Sequence, residues 1–268
     1  MAPCCQHSPT SNKVKVLVSV APYATFIKEI AGDLVDIIIL VPSGSSPHTY
    51  EPSAKQTSMA SNAVIWFRID EAFENRILTA LSSSHPDMKI INLQQSLPLI
   101  HACCSDEGFD THTWLSPKLA QEQAKLITRN LIDLFPEQEK DLNERLNVFI
   151  KRLINLDHVL KEITDTAFKK ILLVSHPAYG YFCRDYGIKQ LSIEWEGKEP
   201  SPKRLTRLIK TIQDNQLKCI FTQIQYSQKG SRLLADELGL KIYETNPYSN
   251  DYFGEMENVA RLWAGCSQ

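Results

Sequence analysis

Ile171-Leu172-Leu173-Val174-Ser175-His176-Pro177-Ala178-Tyr179-Gly180-Tyr181-Phe182 is the stretch that sets the fold class of this chain. Four consecutive aliphatic residues without polar alternation read as a strand buried on both faces, the pattern of a parallel sheet. The run stops at Ser-His-Pro. It therefore delivers His176 to the carboxyl edge of the sheet, where open α/β sheets bind ligands. Two further histidines occupy proline-flanked turns, His48 in Ser46-Pro47-His48-Thr49-Tyr50-Glu51-Pro52 and His112 in Asp110-Thr111-His112-Thr113-Trp114-Leu115-Ser116-Pro117. Three histidines in matching turns suggest one metal site.

Strands and helices alternate on both sides of this stretch. Upstream, apolar runs at 14–20, 34–41, 63–67 and 89–93 predict strands. Phe26, Ile27 and Ile30 before Gly32, and Phe73, Ile77, Leu78 and Leu81, fall at helical spacing. Downstream, strands are expected at 189–193, 218–224 and 240–245, with helices between them and a last helix over about 252–263. Residues 94–111 break the rhythm and read as an irregular entry loop. Ser116 then caps a helix that has Pro117 at its first position. Leu142, Leu146, Phe149, Leu153, Leu156, Leu160, Ile163 and Ala167 keep one helical face, which predicts a single helix over 136–168, roughly 50 Å long. The expected fold is α/β, with two lobes of open, mostly parallel sheets (14–135 and 169–268) joined by one long rigid helix (136–168).

The chain has 268 residues, 43% hydrophobic and 22% charged, and a formal net charge of −2. That length buries a core without metal or disulfide help. The charge gives no basic field for nucleic acid or anionic membrane, so a small ligand or a protein partner is expected. No apolar stretch reaches the roughly 18 residues that span a bilayer. The stretch 1–13 lacks the apolar centre of a secretion signal, so the protein is expected either to be cytosolic or to have lost its signal. The seven cysteines include the adjacent pairs Cys4-Cys5 and Cys103-Cys104, which fit neither zinc-knot nor redox spacing. Spacing leaves a bridge between Cys219 and Cys266 open.

Imidazole suits Zn²⁺, and also Mn²⁺, Fe²⁺ or Ni²⁺ with less preference; three histidines leave one place of a zinc tetrahedron to fill. His7 lacks such a turn context, His85 and His158 read as surface groups, and His101 in the entry loop reads as a transient carrier. Against a zinc hydrolase stands the lack of a His-Glu-x-x-His motif. Its base would have to be Glu51, or one of Glu194, Glu196 and Glu199, each more simply a cap or rim charge.

Pro47–Pro52, the 110–117 motif, Ser175 to Gly187 and Glu199-Pro200-Ser201-Pro202 together resemble the cluster-nine solute-binding proteins, the metal-binding subunits of zinc and manganese ABC importers. The resemblance runs from Val16 to Cys266. It implies that a metal is held between the lobes as cargo, that His48, His112 and His176 are ligands, and that the partner is an ABC permease of the inner membrane. It also implies a monomeric, non-enzymatic, periplasmic or extracytoplasmic protein. A histidine at the third ligand place resembles the zinc branch, so Zn²⁺ is expected ahead of Mn²⁺ or Fe²⁺. The family's fourth ligand is an aspartate in an Asp-Pro pair. Here the pair is Asn246-Pro247, so Asn246 is expected to coordinate, with water or Asp251 as substitutes. The family also implies the Cys219–Cys266 disulfide. A surface adhesin with a structural metal would carry the same site.

Overall fold

The computed structural model describes residues 13–101, 108–194 and 201–268. The first half forms strands β1 (Val14–Val18), β2 (Val35–Ile39), β3 (Ile65–Arg68) and β4 (Lys89–Asn92); the second forms β5 (Ile171–Val174), β6 (Lys189–Ser192), β7 (Cys219–Gln223) and β8 (Lys241–Thr245). Each half is one four-stranded sheet, ordered β2-β1-β3-β4 and β6-β5-β7-β8, and every pairing is parallel. The β-branched and aromatic runs explain the burial. Val16, Leu17, Val18, Ile65, Trp66 and Phe67 have no solvent exposure, as expected for strands covered on both faces.

The covering helices are α1 (Ala21–Ala31), α2 (Ala54–Ala60), α3 (Ala72–Ser84), α4 (Pro117–Leu134), α5 (Glu139–Asp165), α6 (Gly180–Asp185), α7 (Pro202–Asp214), α8 (Lys229–Leu238) and α9 (Tyr252–Cys266). Local chemistry sets their ends. Gly32 stops α1 with φ 59°, where a Cβ would be strained. Ser53 and Gln56 form a reciprocal capping box on α2, and Ser116 accepts the Leu119 N–H at 3.2 Å on α4, with Pro117 at the first position as the sequence predicts.

The long helix α5 is shorter than its apolar pattern suggests. Pro136 opens a 3-10 turn, Pro136–Gln138, and the α-helix starts only at Glu139. At the other end its carbonyls are taken early: the Thr166 hydroxyl bonds Ile163 O at 2.7 Å, and Lys170 Nζ donates to Thr164 O at 2.5 Å. What remains is 27 residues, about 40 Å of helix. Phe168, beyond the end, is exposed.

Leu142, Phe149, Leu153, Leu156 and Leu160 on α5 pack between α1, α4 and α9. Phe26 of α1 meets Phe149 at 5.1 Å and Tyr252 of α9 also at 5.1 Å, edge to face. One apolar core thus runs from the first sheet through α5 into the second. The outer face of the second sheet has its own cluster around Leu173, Ile212 and Ile220. Cys219 at the start of β7 is bridged to Cys266 at the end of α9, with Cα atoms 6.2 Å apart. Cys183 is free and buried.

Candidate metal centre

The loops that leave the carboxyl ends of the strands build one cluster. The loop after β2 brings His48, in a 3-10 turn Pro47–Thr49; that after β3 brings Glu71; that after β4 brings Asp110 and His112. From the second sheet come His176 after β5, Glu194 after β6, Tyr226 after β7, and Asn246 and Tyr248 after β8. Both halves meet at the ligand-binding edge of their sheets.

Nitrogen atoms of His48, His112 and His176 all lie within 4.8 Å of one another. The Nε2 atoms of His48 and His176 are 3.1 Å apart, and the ring centroids of the three pairs are 4.9–5.5 Å apart. A zinc tetrahedron with arms of about 2.0–2.1 Å has edges of roughly 3.3 Å, so the spacing fits such an ion. His112 and His176 are 3% and 6% exposed. The His48 side chain is 32% exposed.

Every histidine has a carboxylate on its Nδ1: Glu71 on His48 at 3.0 Å, Asp110 on His112 at 2.7 Å, and Glu194 on His176 at 3.2 Å. An ionised carboxylate only accepts, so Nδ1 carries the proton and the Nε2 lone pair turns inward. This arrangement fixes ring orientation and raises basicity, as in metal centres generally. The supports extend further. Thr111 donates its hydroxyl to Glu71, and Asp110 Oδ1 also takes the His112 backbone N–H at 2.9 Å. Gln223 brackets His176, with Oε1 accepting its N–H at 2.9 Å and Nε2 donating to its carbonyl at 3.2 Å. Tyr226 stacks on the His176 ring at 3.9 Å and 11°.

Glu71 is aimed by its turn. Asp70 adopts φ 63°, which Asp tolerates, and the buried Glu74 carboxylate accepts the N–H groups of Ile69 (2.9 Å) and Glu71 (3.1 Å) and the Arg68 Nε–H (3.0 Å). Gly180 is needed where α6 approaches, because any Cβ there would collide with the Asp110 carboxylate.

Burial opposes a charge on His48, but the Glu71 carboxylate, helped by Asp110 and Glu194, outweighs it and raises the pKa above the ordinary histidine value. Burial also works against the Glu71 charge; His48 and the Thr111 hydroxyl overcome it and lower that pKa. His176 goes the other way: burial, then the neighbouring His48 and His112, hold its pKa well below normal. His176 therefore stays neutral, with its lone pair available.

The other residues singled out in the sequence make these contacts. Asn246 Oδ1 accepts from Gln225 Nε2 at 2.6 Å and from the Tyr248 N–H at 3.2 Å. Asp251 caps α9 by accepting the Gly254 N–H at 3.0 Å. Glu51 pairs with Arg76 on the surface. His85 and His158 are exposed, and His101 stacks on Phe109 at 5.2 Å, outside the histidine group. Cys4, Cys5, His7, Cys103, Cys104, Glu196 and Glu199 lie outside the described residues. The sequence offered Glu194 only as a cap, a rim charge or a hydrolytic base, and it gave Glu71, Asp110 and the tyrosines 226 and 248 no metal-site role. Their shared signal is position: each follows the end of a strand.

Residues 16–265 match the family described as ZnuA, zinc-uptake complex component A, periplasmic. A Chlamydia trachomatis protein described only as metal-binding is 31% identical, over 97% of this chain and 94% of its own. The high-affinity zinc uptake system protein ZnuA of Bacillus subtilis is 27% identical, over 86% of this chain and 77% of its own. A crystal structure of ZnuA superposes with a TM-score of 0.91 at 33% identity, covering 96% of this chain and 100% of that one.

Proposed function

The chain belongs to the family of zinc-uptake complex component A proteins, and on that premise we propose that it is an extracytoplasmic solute-binding protein that captures zinc between its lobes and hands it to an ABC permease. One observation carries the reading. Two Nε2 atoms from different sheets face each other at 3.1 Å, while each Nδ1 is tied to a carboxylate. Two lone pairs so placed repel unless a proton or a metal cation lies between them, and the third imidazole beside them makes the group a metal cage.

We take 14–135 and 169–268 as the two metal-binding lobes, 136–168 as the link, and His48, His112 and His176 as ligands. Three neutral imidazoles favour Zn²⁺ over the harder Mn²⁺, with Fe²⁺ between. Both halves of the site come from one chain, so a monomer suffices. The metal is cargo. Among the described residues, Glu71, Asp110 and Glu194 each serve an imidazole, an arrangement that supports capture over hydrolysis. His48 is the ligand that solvent reaches.

Elemental analysis after loading with equal Zn²⁺ and Mn²⁺ tests the proposal. One zinc per chain, retained against manganese, is expected; manganese retention or no bound metal would overturn it.

A further inference from the structure

The fourth donor of the cage is set by a conflict at residues 246–248. An amide oxygen has two lone pairs. Both lone pairs of Asn246 Oδ1 are in use, by Gln225 Nε2 at 2.6 Å and by the Tyr248 backbone N–H at 3.2 Å. The orientation of this amide is fixed, because a backbone N–H only donates and Nδ2 could not accept it. Side-chain oxygen to the N–H two residues on is an Asx turn. Asn246 is thereby a turn former. To coordinate a metal it would have to give up one of these bonds.

What the turn presents is Tyr248. Its hydroxyl lies 2.9 Å from His112 Nε2, on the ring nitrogen opposite the one held by Asp110. It also lies 3.4 Å from the Tyr226 hydroxyl. The ring is buried, and its backbone is clamped across the lobes: Trp114, two residues after His112, donates its indole N–H to Pro247 O at 2.8 Å. Tyr248 Oη is thus a polar atom of the second lobe aimed at a ligand nitrogen of the first, at about the spacing that separates two donors on one zinc.

We propose that Tyr248 Oη is the fourth donor to the metal and that Asn246 positions it. The inference rests on the zinc-capture reading above. It supplies an oxygen donor from the second lobe beside His112 of the first.

The test uses the full chain with Zn²⁺ and Cu²⁺ as probes, comparing wild type, Tyr248→Phe and Asn246→Ala. Zinc competition titration is expected to show at least a tenfold loss for Tyr248→Phe, with the melting temperature of the metal-free protein as the check on folding. The copper-loaded wild type should absorb in the visible by phenol-oxygen-to-copper charge transfer. Asn246→Ala should keep that band with weakened affinity, and Tyr248→Phe should lose it. The inference falls if wild type shows no such band, if the band survives in Tyr248→Phe, or if Tyr248→Phe binds zinc as wild type does. In that last case one zinc per chain would leave the three-histidine reading standing; wild type that takes no zinc would remove both.

Discussion

His48 Nε2 and His176 Nε2 stand 3.1 Å apart although 128 residues separate them in sequence. Each belongs to a different sheet, and each ring is pinned from behind by a carboxylate of its own half. Removing either imidazole leaves the other without its counterpart across the cleft. Substituting His48, His112 or His176 by Ala is expected to weaken zinc binding more than tenfold, or at least about 1.4 kcal/mol. Isothermal titration calorimetry reads this directly, and unchanged binding in His112→Ala would sink the ligand assignment.

Glu71→Gln keeps the shape of the side chain and removes the charge behind His48. Outer partners of this kind are worth about 10–100-fold in metal affinity. A loss in that range is expected in chelator competition, with no change in the number of zinc ions bound.

Protons compete with the metal for Nε2. Because Glu71 raises the His48 pKa, protonation starts at a higher pH than for an ordinary histidine. Zinc affinity should therefore fall as pH drops through that raised value, by up to about tenfold per unit for one displaced proton, and be constant above it. In Glu71→Gln the onset should move to lower pH. Affinity measured across the neutral to mildly acidic range decides the point; a pH-independent affinity would refute it.

Cys219 and Cys266 close a loop of 47 residues between β7 and the last turn of α9. By the chain-entropy account, opening it costs about 4 kcal/mol. Cys266→Ser, or reduction, should lower the denaturant midpoint correspondingly while leaving zinc stoichiometry intact, since neither sulfur is near the histidines in the fold.

Phe149 has no exposure and touches both Phe26 and Phe253. Phe149→Ala should cost about 3–5 kcal/mol. Both halves should still unfold together in one calorimetric transition, because they share the core that the substitution damages. Two separated transitions would show that the lobes are independent.

The strands were legible because most are short runs dominated by β-branched, aliphatic or aromatic residues, and Ile171–Val174, with nothing polar inside, is the plainest case. Their lateral order was not legible: alternation announces parallel strands but does not say that β1 lies between β2 and β3. The histidines showed through their proline-flanked turns. The carboxylates stayed hidden because one acidic residue between a strand and a helix looks like a cap. Glu71 does stand at the N-cap position of α3 while its carboxylate serves His48. At Asn246 the Asn-Pro pair drew attention to an amide, whereas the Asx turn it makes can be seen only from the Tyr248 N–H.

The core that passes without a break through α5 limits how the molecule can announce that it is loaded. Swinging the lobes apart would expose Phe26, Phe149 and Tyr252 together, at a cost per side chain comparable to a core truncation. A membrane partner therefore meets nearly the same rigid silhouette before and after capture. Discrimination between the two must be read at short range, from the rim around His48, the most exposed of the three histidines.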